Sequence, residues 1–311
     1  MVAPVNERPG LDVDAAAPGA DAGRGQRRTS VPRRVVRHLV RQPITVVSGC
    51  FLLGMLALAI YVWLASPLDP NAQDLTHRLV GPSGDHILGT DHLGRDIFAR
   101  MVHATRVAVL ALAQGVGVAA ILGIVPGVIA GFRGGIPDSA LSRAADVLVV
   151  FPGIILALAI VGILGPSLTN AMIAVGIINA PRLFRVVRSA AVSLRDASFV
   201  DAARTMGAGS SAIIRRHIMA NVAGVTVVQV ALVAAHVLLA ESSLSYLGLG
   251  AQAPQATWGS MIREAQPSIG TQPWAIVFPG LAIMLTAMAL NFTADGIAKA
   301  LRVSVGTEVA R

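Results

Sequence analysis

The chain has 311 residues, 54% of them hydrophobic and only 14% charged. That balance excludes an ordinary soluble domain and predicts helices buried in lipid. The formal charge of +8 rests on arginine, because Lys299 is the sole lysine, and the single cysteine, Cys50, excludes an intrachain disulfide or a cysteine metal cage.

Residues 1–29 are rich in Ala, Gly, Pro, Asp and Arg and show no apolar period, which predicts a disordered cytoplasmic tail. They lack the apolar core of a cleaved signal peptide. Residues 30–43 predict a short interfacial amphipathic helix, with Val36, Leu39 and Val40 on one side and Arg33, Arg34, Arg37 and Arg41 on the others. A nucleic-acid patch is the rival reading, and the apolar run that follows argues against it.

Crossing about 30 Å of hydrocarbon takes about 20 apolar residues. Six runs fit an all-α integral membrane protein: 44–65, 106–132, 145–164, 168–180, 222–240 and 274–292. The second carries Gly115, Gly117, Gly123 and Gly127, which let a neighbouring helix approach, and Pro126, which permits a kink. The third bends at Phe151-Pro152-Gly153, and the fourth is short and ends at Pro181; these two runs also fit a re-entrant pair.

Of the 25 basic residues, twenty fall on one side of such a six-span path and four on the other. The richer side holds both termini, the final stretch 303–311 and the polar segment 182–221, and is cytoplasmic by the positive-inside rule.

The outer segment 66–104 contains LGTDHLGRD, in which Asp91, Arg95 and Asp96 can pair or cap the helix entering the membrane. His86, Asp91, His92 and Asp96 match no standard zinc spacing, so no metal site is expected. The outer segment 240–264 begins at Glu241. It reads either as an interfacial turn, anchored by Trp258, or as a surface lining the pathway mouth or receiving a binding protein.

Polar groups inside spans are costly and mark candidate pathway positions. They are Gln114, Asn179, Gln229, His236 and Asn291, with Glu241 at the end of its span. A bond to a neighbouring helix is the plainer role for each. His236 and Glu241 are the pair to suspect in a proton-coupled carrier.

Residues 198–221 form a polar island read as two short helices around a glycine break. Ser198 and Asp201 give a capping-box-like start, Phe199, Val200, Ala203 and Met206 an apolar stripe, and Gly207 to Gly209 the break. Ser210 or Ser211 caps a second helix carrying Ile213, Ile214, His217 and Ile218. Periodicity leaves two readings open, a docking surface for a soluble partner or an ordinary interfacial loop.

The string Asp201-Ala202-Ala203, then Gly207, His217-Ile218 and Asn221, resembles the EAA loop of ABC importer permeases. Two positions depart from it: Asp201 stands for the usual glutamate, and Ala220 stands where proline is common, which removes a helix stop. LGTDHLGRD, LSYLGLG with WGSM, and PWAIVFPGLAI are similar to the C-type permease subunit of dipeptide, oligopeptide and nickel importers. The four motifs lie in order across residues 30–302.

The resemblance implies the six-helix architecture of type I importer permeases in a bacterial inner membrane. It implies a homologous B-type permease subunit as heterodimer partner, two cytoplasmic ATPases that hold ATP and Mg, and an extracytoplasmic substrate-binding protein. It assigns ATPase coupling to Phe199, Val200, Asp201, Ala202, Ala203, Met206, Gly207 and His217. The implied cargo is a dipeptide or oligopeptide, with nickel or glutathione as alternatives. The chain has no G-x-x-x-x-G-K-[ST] loop, so it is expected to be a non-catalytic subunit. A gradient-driven carrier or channel, or a membrane scaffold, explains fewer of these features.

Overall fold

The computed structural model describes residues 39–309, with side chains described as far as residue 301. The tail expected at 1–29 lies outside the described residues, as does the amphipathic helix as far as residue 38. Among the described residues the protein is helical, and the sole extended pairing is an isolated bridge between Thr90 and Asp96.

The helices are α1 (Pro43–Ala65), α2 (Ile97–Arg133), α3 (Gly135–Val150), α4 (Gly153–Leu164), α5 (Leu168–Arg195), α6 (Ser198–Thr205), α7 (Ser210–Ile213), α8 (Met219–Tyr246), α9 (Trp258–Ala265) and α10 (Trp274–Val309). Between α7 and α8 a π-helical turn, Ile214–Ile218, carries the chain on without a break. Among the described residues five helical stretches are long and apolar enough to cross a membrane, and α3 with α4 makes a sixth if that bent pair is one span.

Three expectations change. The third run does bend at Phe151-Pro152, but by 94°, so it is two helices that make either a broken span or a re-entrant loop. With 12 residues, α4 alone reaches only about 18 Å. The fourth run does not stop at Pro181, which sits inside the continuous 28-residue α5. One proline removes a single backbone bond, and close packing against neighbouring helices tolerates that in a membrane. Arg182, counted above in a cytoplasmic loop, is therefore inside a helix. Finally, α2 starts nine residues before the expected run: Asp96 accepts a bond from the amide of Ala99 at 2.8 Å and caps it.

The core is set by the contact of α2 with α5. Gly115, Ala119, Gly123, Gly127 and Gly131 recur every fourth residue of α2, and all are buried. A Cβ on Gly123, Gly127 or Gly131 would lie 2.7, 2.9 or 2.5 Å from the carbonyl oxygen of Ala180, Phe184 or Arg188 respectively. The glycine row of one helix therefore rests on a carbonyl row of the other, at a separation no side chain fits. Gly115 meets Val237 of α8 instead, and Gly117 meets nothing within 4 Å, so it plays no part in packing within this chain.

Around this seam lie three larger apolar clusters. One joins α2, α4, α5 and α8 through Met172, Val175, Leu183 and Val237. A second, at the end of α2 and α5, seats α6. A third joins the start of α2 to α9 and α10 through Ile97, Trp258 and Ala275. Trp258 is buried there rather than anchored at a membrane interface.

Gly131→Ala is expected to cost about 1–3 kcal/mol through overpacking against backbone. Gly117→Ala is expected to be neutral or to stabilise by up to about 1 kcal/mol. Thermal unfolding of the two purified variants in detergent checks the contrast.

Candidate functional site

At one end of the α2–α5 seam, α5 ends at Arg195 and the chain turns through Asp196 and Ala197 into α6. Ala197 is the N-cap and contributes no side-chain bond, so the expected capping role of Ser198 is not realised. The C-terminus is better fastened. The amide of Ala208 donates to the carbonyl of Ala203 at 3.0 Å, and the amide of Gly207 donates to Arg204 at 2.9 Å. This paired closure needs a left-handed residue, and Gly207 supplies it with φ of 82°.

The apolar stripe of α6 divides. Val200 and Ala203 are buried with Val128, Phe132, Val187 and Ala191, and they fix the helix to α2 and α5. Phe199 and Met206 face outward, Met206 at 82% exposure. Ala202 and Asp201 are also exposed, and Asp201 accepts from Arg204 Nη1 at 3.2 Å. Arg204 in turn lies 5.6 Å over the Phe132 ring. His217 is partly covered, with its ring 6.1 Å from that of Phe199.

The second helix of the island is not a separate element. Gly209 is the N-cap of α7, Ser210 and Ser211 lie inside the helix, and α7 runs through the π turn into α8. Ala220 lies within that helix, which fits the missing proline stop.

The pathway candidates separate into different surroundings. Asn179 and His236 line one cavity of about 150 Å³ between α4, α5 and α8, together with Arg182, Ser243, Ile154 and Ala157. Asn179 Nδ2 donates to the Val175 carbonyl at 2.9 Å, and its Oδ1 accepts from Arg182 Nη1 at 3.4 Å. His236 Nδ1 donates to the Leu232 carbonyl at 2.8 Å. Gln229 is partly buried seven residues before His236, on the same stripe of α8.

Glu241 does not line this cavity. It is 1% exposed and accepts from Ser245 Oγ at 2.7 Å and from Ser242 Oγ at 3.3 Å. The suspected His236–Glu241 pair is therefore not assembled. Asn291 is exposed on α10 and donates to the Ala287 carbonyl at 2.9 Å. Gln114 is not exposed and lies on α2. Arg182 was missed as a site residue because Pro181 before it reads as a helix end.

At the other end of α2, four charges close the segment 66–96 that precedes it. Arg95 donates to Asp91 Oδ2 at 2.7 Å and to Glu264 Oε2 at 2.6 Å, and Arg100 donates to the same Glu264 oxygen at 3.0 Å. Arg100 is only 2% exposed. His86 pairs with the capping Asp96 at 2.8 Å. Asp91, His92 and Glu264 come within 4.8 Å of one another, but two arginines already neutralise both carboxylates. Farther along the segment, bonds from the Thr76 hydroxyl and then the His77 ring hold the Asp74 carboxyl well below the usual range.

Comparison with known proteins places these features in context. Residues 123–305 match the model of the binding-protein-dependent transport system inner membrane component. The chain is 38% identical to the dipeptide transport system permease protein DppC of Alkalihalophilus pseudofirmus, over 86% of this chain and 88% of that protein. It is 42% identical to the nickel transport system permease protein NikC of Escherichia coli, over 79% and 88%. It is 38% identical to the glutathione transport system permease protein GsiD of Pectobacterium atrosepticum, over 86% and 90%.

Glu264→Ala removes the 3.0 Å partner of the buried Arg100, while Arg95 keeps Asp91, and is expected to cost about 3 kcal/mol. The loss should appear as a lower unfolding temperature of the purified protein, while Arg78→Ala, in the same segment but exposed, should change it little.

Proposed function

The chain belongs to the family of binding-protein-dependent transport system inner membrane components, multi-pass permeases of ABC transporters in the bacterial inner membrane, and from that premise we propose that it forms half of the pathway of an ATP-driven peptide importer. Its partners are a homologous permease subunit, two cytoplasmic ATPase subunits holding ATP and Mg, and an extracytoplasmic binding protein. Dipeptides or short peptides are the cargo, by analogy with the relatives named for dipeptide transport. In this reading there are six spans, with the bent α3–α4 pair as one, and both termini are cytoplasmic.

The observation that carries the proposal is the construction of α6. Its inner face is buried on the ends of α2 and α5, while Met206 and Phe199 project outward. An apolar knob on a rigid base suits insertion into a cleft of an ATPase. A helix floating at an interface would have no need of such a seat. When the ATPases close, α6 moves with them, and the α2–α5 unit carries the displacement into the membrane.

Alternating access follows without chemistry on this chain. Nucleotide binding and hydrolysis on the partners supply the free energy, and the helices expose the cavity between α4, α5 and α8 to one side or the other. Phe199, Val200, Asp201, Ala202, Ala203, Met206, Gly207 and His217 serve the coupling, with Val200 and Ala203 as the seat and the remainder at or near the contact surface.

Gly207 offers a graded test, because nothing lies within 4 Å of a Cβ there and only the left-handed backbone resists substitution. Gly207→Val is expected to lower ATPase co-purification and ATP-driven peptide uptake at least fivefold, whereas Gly207→Asn, which tolerates that conformation, should retain most of both. Equal uptake in the two variants would count against the coupling role.

A further inference from the structure

We infer that the cavity between α4, α5 and α8 takes an anionic group of the transported solute, a carboxylate, with the Arg182 guanidinium as its charge partner. The inference rests on the transport reading above and adds what the pathway recognises.

Arg182, Arg185 and Arg188 follow one another at three-residue intervals along α5, and their surroundings differ. Arg185 donates to Asp146 at 2.7 Å. Arg188 makes a two-pronged pair with Asp138, one prong at 2.7 Å. Arg182 has the Asn179 amide oxygen at 3.4 Å and, among the described residues, no carboxylate. The other two are paired with α3, whereas Arg182 is exposed where it lines the open cavity and, among the described residues, has no carboxylate beside it.

Depth makes that charge costly to keep without a purpose. Asn179 is eleven residues from the start of α5 and His236 ten residues from the end of α8, so both lie about 15–17 Å from the outer ends of their helices. Against about 30 Å of hydrocarbon that is near the midplane, and Arg182, fourteen residues from the start of α5, lies about 21 Å along it, past the midplane but still within the hydrocarbon. An ionised arginine at such depth faces a water-filled space or a partner.

The lining decides the sign of the ligand. Arg182 and His236 are the titratable residues that face the cavity, and none of the lining residues is acidic. Glu241, one residue from the lining Ala240, is turned away into its bonds with Ser242 and Ser245. Ile154, Ala157, Val175 and Ile178 supply an apolar wall that strengthens any charge–charge contact inside. The planar fork of arginine matches a carboxylate with two parallel bonds, a geometry lysine does not reproduce. His236 has committed Nδ1–H to the Leu232 carbonyl, so Nε2 is the ring atom left for the solute.

The test uses the assembled transport complex in membrane vesicles, with Cys50→Ala as background and Ser243→Cys as a reporter on the cavity wall. Methanethiosulfonates bearing a sulfonate or a trimethylammonium group are compared, each rate normalised to that with a free thiol. The sulfonate is expected to be favoured about tenfold, as one charge at short range in a partly dry site gives. The preference should vanish in Arg182→Gln and persist in part in Arg182→Lys. A thiol neither reagent reaches, or a preference independent of Arg182, overturns the inference. Ala240→Cys, on the same wall, replaces the reporter if Ser243→Cys does not assemble. Uptake of dialanine by the unaltered complex tests the transport reading separately. Its failure to depend on ATP, with the charge preference intact, removes that reading and leaves the anion site standing.

Discussion

The structure depends on one close approach, that of the small-residue face of α2 to the carbonyl row of α5. Gly123, Gly127 and Gly131 meet Ala180, Phe184 and Arg188 with no side chain between them. In lipid there is little hydrophobic gain from pairing two apolar helices, so contact at backbone distance and its dispersion energy hold them together. Such a seam also has few rotamers through which movement at one end could be absorbed. The two helices behave as one stiff body.

Both ends of that body are fastened to polar structure. At the N-terminal end of α2 the Asp96 cap and the Asp91–Arg95–Arg100–Glu264 cluster bind the segment before α2 to α9. At the other end Val200 and Ala203 lock α6 onto Val128, Phe132 and Val187. Between them, Arg182 and Asn179 project from the middle of α5 toward α8. In the proposed transport cycle a displacement of α6 would reach the cavity through packed side chains and backbone.

Much of this was legible in the sequence, and the failures have physical causes. Runs of apolar residues located the long helices, since length and hydropathy decide what can span lipid. The glycines of α2 predicted close packing, although their four-residue register, which selects Gly131 and leaves out Gly117, needs the neighbouring helix to be seen. Pro181 misled because proline ends helices in water, while α5 tolerates it through tertiary packing. That error hid Arg182. The serines at 198, 210 and 211 are good caps by type, yet Ala197 and Gly209 occupy the cap positions, because burial of Val200, Ala203 and Ile213 sets where the helices begin. In the sequence Glu241 with His236 is the pair to suspect in a proton-coupled carrier, and only the fold shows Glu241 bonded to two serines.

The central claim is that α6 lies in the cytoplasm and presents its outer face to an ATPase. The most direct measurement is labelling of Met206→Cys, in a Cys50→Ala background, with a membrane-impermeant maleimide. The account predicts reaction from the cytoplasmic face alone, with strong shielding once the ATPase subunits are bound and its return when they are stripped away. Labelling from the external face, or a rate unaffected by the ATPases, would contradict it.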